Sequence, residues 1–225
     1  EIMPSLVGSE MCIRDREGMI NSGFTTDLDV SFVRADEGSS GYTTYGATAL
    51  IGTVAHAADA LSFAPAEYYL ASGKKTKLIG WYPRRSGVSY AQGTRVVDFG
   101  EIDGKTDLMA TVLYEGSKGA NIPSIAFNHL LTQFSIKVYT PDAAAQGLWG
   151  TVNSIKIAEK KQTCTITLPA ATETANTAAA PTFTGNSDLD LIEANPAVTP
   201  ATVINYPLTP VSYTHLRAHE TRHDL

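Results

Sequence analysis

Apolar and polar residues alternate one for one in several separate segments of this chain, and this pattern restricts the fold more than any other feature. Successive side chains of an extended strand point to opposite faces, so strict alternation marks a strand with one face buried. In DLDVSFVRA (27–35), Leu28, Val30 and Phe32 alternate with Asp29 and Ser31. Further strands are read at ALSFAP (60–65), KTKLIGWYP (75–83), RVVDFGEI (95–102) and DLMATVLYEG (107–116). Pro83 ends KTKLIGWYP, because proline has no amide hydrogen to give to a ladder, and SGKK supplies the turn before it. DEGSSGYTTYG, after the first strand, reads as loop. IAFNHLLTQFSIKVYTP (125–141) closes on alternating Phe134, Ile136 and Val138, and its aromatic and β-branched content favours strand over helix. TVNSIKIAEKKQTCTITLP (151–169) reads as a hairpin turning at AEKKQ. Residues 170–205, rich in Ala, Thr and Pro, predict a loop or weakly ordered stretch with a short strand at its end. Many short strands with turns between them and no regular helices imply an all-β chain packed as β-sandwiches. A composition shift at NIPS (121–124) is the expected domain boundary.

The two ends of the chain behave differently. VSYTHLRAHETRHDL (211–225) places His215, His219 and His223 four residues apart, which on a helix would stack three imidazoles on one face. Three histidines with an open position are how a catalytic zinc is commonly held. The other end contradicts that reading. Met11-Cys12-Ile13-Arg14-Asp15 can be written ATG TGT ATA AGA GAC, whose reverse complement encodes Val211-Ser212-Tyr213-Thr214-His215. The antisense relation runs unbroken from Glu1 opposite Leu225 to Arg16 opposite Pro210, and stops at Glu17. Its nucleotide string resembles a transposon end used to tag DNA fragments. Residues 1–16 and 211–225 are therefore read as adapter-derived segments flanking a fragment, and are set aside from fold reasoning. No metal site is assigned to the three histidines.

What is left carries little chemistry. Four of the 17 Lys and Arg and five of the 23 Asp and Glu lie in the ends, leaving 13 against 18. A mildly acidic chain with no basic stripe does not suit nucleic acid. No apolar run approaches the roughly 20 residues of a membrane span. Phosphate loop, nucleophile elbow and HExxH motif are all missing. His129, in an apolar strand, is read as a hydrogen-bonded structural residue, and His56 has no evident partner. Cys164, between Thr163 and Thr165, is read as a small packed hydrophobe. Asp98, Glu101, Asp103 and Asp107 form an acidic run whose spacing fits no EF-hand, so a solvated turn is expected. Trp81 and Tyr82 could form a sugar-stacking platform, although packing is the commoner use of aromatics in such a strand. No catalytic, cofactor-binding or metal-binding residue is assigned, and no cofactor is expected.

Several of these residues, in this order, resemble the fimbrillin family of Bacteroidota. They are Phe63, Pro65, Tyr68 and Tyr69, then Gly80-Trp81-Tyr82-Pro83, then Asp107-Leu108-Met109, then Phe127-Asn128-His129-Leu130-Leu131-Thr132-Gln133-Phe134. The likeness runs from about residue 27 to 168. It implies two transthyretin-like β-sandwich domains, expected at 17–124 and, incomplete, at 125–210. It also implies a non-catalytic fimbrial or adhesive subunit at the cell surface or outer membrane, made as a lipoprotein and assembled by β-strand complementation. Its partners would be other fimbrial subunits, with host or glycan surface ligands in addition. The membrane would be reached only through a lipid anchor that this fragment lacks. A glycan-binding surface module is the alternative. A truncated second sandwich would leave an unpaired edge near 134–138 or 155–166.

Overall fold

A computed structural model of the chain describes residues 20, 24–104, 106–137, 156–190 and 203–209, and all regular secondary structure among them is strand. The terminal segments 1–16 and 211–225, with the three spaced histidines, lie outside the described residues. In chain order the strands are β1 (Leu28–Asp36), β2 (Leu50–Ala55), β3 (Ala60–Phe63), β4 (Thr76–Tyr82), β5 (Ser89–Ala91) and β6 (Val96–Glu101). There follow β7 (Met109–Thr111), β8 (Tyr114–Gly116), β9 (Phe127–His129), β10 (Thr132–Lys137), β11 (Lys156–Thr167), β12 (Ala180–Asp190) and β13 (Val203–Thr209). The expected all-β class is the observed one.

One antiparallel sheet has the order β3-β2-β1-β4-β7-β9, with β8 also paired to β4. A second has the order β12-β11-β6-β5, and β10 pairs with β13 in a third. The central strands β1 and β4 bury residues on both faces, so the single buried face expected for the first strand is corrected: Ser31 and Val33 are buried as well as Val30 and Phe32. Leu28, Val30, Phe32 and Leu78 face one cluster, closed over by Leu61, Tyr69, Ile122 and Ile125. Val33, Ala35, Ile79 and Trp81 face the other, where the second sheet supplies Val97, Phe99, Cys164 and Ile166. That second cluster is the core between two packed sheets.

Gly80 sits at the point where the first face is tightest. It lies opposite Phe32 in the β1–β4 register, and a Cβ placed on it would come within 2.4 Å of the Phe32 ring. Only a residue without a side chain lets that ring lie flat against the neighbouring strand.

Of the strands after residue 124, β10 and β13 pair with each other, whereas β9 and β11 join strands that precede it. β9 pairs with β7, and β11 pairs with β6, so the expected division at 121–124 is crossed by hydrogen-bonded ladders. The hairpin expected at AEKKQ is also replaced: β11 runs through it as one strand. A bulge between Ile157 and Lys160, with Glu159 at a φ of 55°, absorbs the polar run. Within 155–166, Thr163–Ile166 is no unpaired edge, having β6 on one side and β12 on the other, while Lys156–Lys161 pairs with β12. β10, in the stretch 134–138, has β13 as a partner on one side. Within 170–205, expected to be loop, β12 is an eleven-residue strand.

The connection between β11 and β12 is held by a buried lysine. Lys77, 4% exposed, projects from β4 and donates to the carbonyls of Ala171 (3.0 Å) and Glu173 (2.5 Å). Its ammonium lies 4.2 Å from the Tyr42 ring centroid and 3.8 Å from a Glu115 carboxylate oxygen. Backbone bonds from Leu113 to Thr177 and from Asn176 to Leu113 continue the attachment. Replacing Lys77 by methionine keeps most of the apolar stem but strands two carbonyls. A loss of about 2–3 kcal/mol in urea unfolding is expected, the usual cost of breaking a buried charged hydrogen-bond set. A loss below about 1 kcal/mol would mean that water takes over those carbonyls.

Candidate functional site

The sequence offers three places to look for function: the Trp81-Tyr82 pair, the acidic run with its nearby histidine, and the open sheet edges. In β4 consecutive side chains leave opposite faces. Trp81, 2% exposed, enters the core between the sheets with its ring 5.7 Å from that of Tyr90. Tyr82 leaves the other face and packs, half-buried, against the Phe32 cluster. The two rings therefore share no surface. A sugar-stacking platform needs exposed aromatic faces side by side, so that expectation is corrected.

The acidic run is dispersed by the turn between β6 and β7. Asp98 accepts from the Gly100 amide at 2.8 Å, beside a backbone turn in which Gly100 has a φ of 70°. Asp103 accepts from the amide and hydroxyl of Thr106, both at 2.7 Å, and from Arg85 at 3.3 Å. Asp107 turns inward, with a fully buried side chain. Among the described residues no three His, Cys, Asp or Glu side chains gather as a metal site would require.

Asp107 meets His129, and this pairing is the most chemically specific arrangement in the described structure. The β7–β9 register sets Met109 opposite His129, which brings Asp107, two residues earlier, beneath the ring. His129 Nδ1 donates to Asp107 Oδ2 at 2.7 Å, and the Ile20 amide donates to the same oxygen at 3.1 Å. Oδ1 is buried and has no partner among the described residues. The hydrogen bond to Asp107 raises the His129 imidazole above its usual value, against an opposing effect of partial burial. No serine, threonine or cysteine nucleophile is hydrogen-bonded to this pair among the described residues, and the arrangement is that of a structural ion pair. His56, for which the sequence suggested no partner, has one: its ring nitrogen lies 2.7 Å and its amide 3.0 Å from Asp27 Oδ1. These bonds hold the Asp27 carboxyl below its usual value. Cys164 is buried, and burial, with a smaller contribution from Asp98, pushes its thiol up to about 12. It is therefore protonated and unreactive at neutral pH.

The sheets end in β3 and β9, and in β5 and β12. β12 is much the longest of these ends, and among the described residues no strand pairs with its outer side. Thr182, Thr184, Gly185 and Asn186 are exposed along it, while Phe183 packs on the core. A left-handed Gly185, at a φ of 66°, lies within it opposite the Gln162 side chain.

Comparison with known proteins gives this architecture a context. A family model described as fimbrillin-like matches residues 21–221. A crystal structure of a Bacteroides uniformis protein whose proposed role is cell adhesion superposes with a TM-score of 0.57 at 15% identity. It covers 84% of this chain and 70% of its own. No curated protein matches the chain.

Proposed function

Because the chain belongs to the fimbrillin-like family, we propose that it is a structural, non-catalytic subunit of an adhesive appendage at the cell surface, joined to other subunits by strand addition at a sheet edge. The observation that carries this reading is the family match across 21–221. The likeness to the Bacteroides uniformis protein, itself associated with cell adhesion, supports it. A lipid anchor would hold the base of such an assembly at the outer membrane.

Strand addition has a simple physical basis. A terminal strand carries backbone donors and acceptors on its outer side, and an incoming strand exchanges their water for a ladder of hydrogen bonds. β12 is the edge best suited, being eleven residues long and flanked by small polar side chains that do not obstruct approach. Lysines on an edge oppose such pairing. The purified chain is expected to form larger species with rising concentration in light scattering, and Thr182→Lys with Thr184→Lys is expected to suppress them without unfolding the protein. A chain that stays monomeric at every concentration, or assembles equally well with both lysines, would count against the proposal.

A further inference from the structure

Asp107 is a carboxylate with no exposed side-chain surface, and among the described residues its one cationic neighbour within hydrogen-bond reach is an imidazole. An isolated buried carboxylate is costly, so its hydrogen bonds are worth more than those of a solvated one. Those bonds tie together three parts of the chain that are distant in sequence. Ile20 precedes β1 and packs against the Phe32 cluster, Asp107 lies between β6 and β7, and His129 ends the edge strand β9. β9 is three residues long and among the described residues pairs with β7 alone, with Leu130 adding one backbone bond to Leu108 at 2.8 Å. Apart from that carboxylate, Ile20 and β9 are held mainly by apolar packing, with Ile20 and Phe127 both lying against the Phe32 cluster. His129 keeps 35% of its side-chain surface exposed, so protons reach it directly.

We propose that Asp107 and His129 form a pH-sensitive latch, in which the imidazolium holds Ile20 and edge strand β9 on the sheet and the neutral ring lets both loosen. The neutral ring can still donate through Nδ1, but it no longer offsets the buried charge, and among the described residues Oδ1 has no donor. Because Asp107 raises the His129 pKa in the folded chain, the stabilisation is complete below the unfolded imidazole's value of 6.5. It is lost as pH rises through the folded value. Other titratable or charged groups facing the pair do not compete in this window. Tyr82 of β4 feels the charge of Asp107, but burial above all raises its hydroxyl further from neutrality. The latch is independent of strand addition at β12, on the opposite sheet.

Amide hydrogen exchange followed by NMR on the full chain, corrected for intrinsic rates, tests this alongside the imidazole titration. The expected result is a His129 midpoint above 6.5. Protection at Ile20 and in β9 should fall through that midpoint by roughly fivefold, the difference between a charge-assisted and a neutral hydrogen bond. Protection at Val30 and Ile79 should stay level. His129→Gln, which can donate but not titrate, should flatten the Ile20 and β9 dependence. A midpoint at or below the ordinary value, or protection that ignores the midpoint, overturns the latch, and so does a glutamine variant that retains the pH dependence. The titration of the unaltered chain decides the matter if the variant fails to fold.

Discussion

Gly80→Ala is expected to destabilise the chain by about 3 kcal/mol, at the upper end of the cost of overpacking a core. The substitution adds one methyl group, which elsewhere in a strand would be favourable. Here the new carbon would sit 2.4 Å from Phe32 Cε1 and 2.6 Å from Cδ1 and Cζ. The ring cannot swing aside. Phe32 is completely buried and is held edge-on by Phe63 at 5.5 Å and by Phe127 at 5.9 Å. The strand cannot move away either, because the Gly80 amide donates to Thr111 Oγ1 at 2.9 Å on the far side. Urea unfolding monitored by circular dichroism measures the loss. If the variant loses less than about 1 kcal/mol, the aromatic cluster is more adaptable than close packing allows. Restoring space with Phe32→Leu in the Gly80→Ala background should recover part of the stability, since contacting residues do not behave additively.

Trp81→Ala is expected to cost about 4 kcal/mol, the usual loss for truncating a large buried aromatic. Its ring fills the space between the sheets alongside Val33, Ile79, Phe99 and Cys164, so removing it leaves a cavity that both sheets would have to collapse to fill. The same experiment separates two uses of the residue. A core tryptophan lost to alanine lowers the unfolding midpoint by circular dichroism. A sugar platform would instead leave stability within about 1 kcal/mol, as surface substitutions usually do, and lower glycan affinity.

The central strands could be read from the sequence because their side chains obey simple rules. β1 alternates Leu28, Val30 and Phe32 against Asp29 and Ser31, β4 carries the apolar block Leu78, Ile79, Trp81 and Tyr82, and β6 alternates Val97 and Phe99 inward against Asp98 outward. β2 escaped for a physical reason. At its centre Ile51 is 47% exposed, while Gly52 takes the inward place between Leu50 and Val54 because the Val30 and Leu61 side chains occupy the space. That inverts, at these two positions, the pattern by which a strand is recognised. β12 escaped because an edge strand with mostly exposed side chains has little need of apolar residues, and Thr, Gly and Asn serve it well. AEKKQ resembled a turn because Glu, Lys and Gln are polar. In the fold Lys160 instead buries its stem and donates to the Ile102 carbonyl at 3.2 Å. Asp107 and His129 were each visible in the sequence, but what joins them is a strand register, which no local pattern encodes.

The ladder between β11 and β6 also bears on how the molecule is made. It joins Thr163 to Glu101 and Thr167 to Val96, contacts that span a large part of the chain. Loop closure over such a distance must be completed before those bonds give anything back, so the second sheet should form late and slowly. Until then Val97, Phe99, Ile79 and Trp81 lack the cover they have in the finished core. A nascent chain that has reached β9 but not β11 is thus a half-sandwich with a sticky interior, the kind of species that aggregates or recruits a chaperone. The vulnerable period in the life of this protein is its synthesis, and its length is set by the time needed to deliver β11.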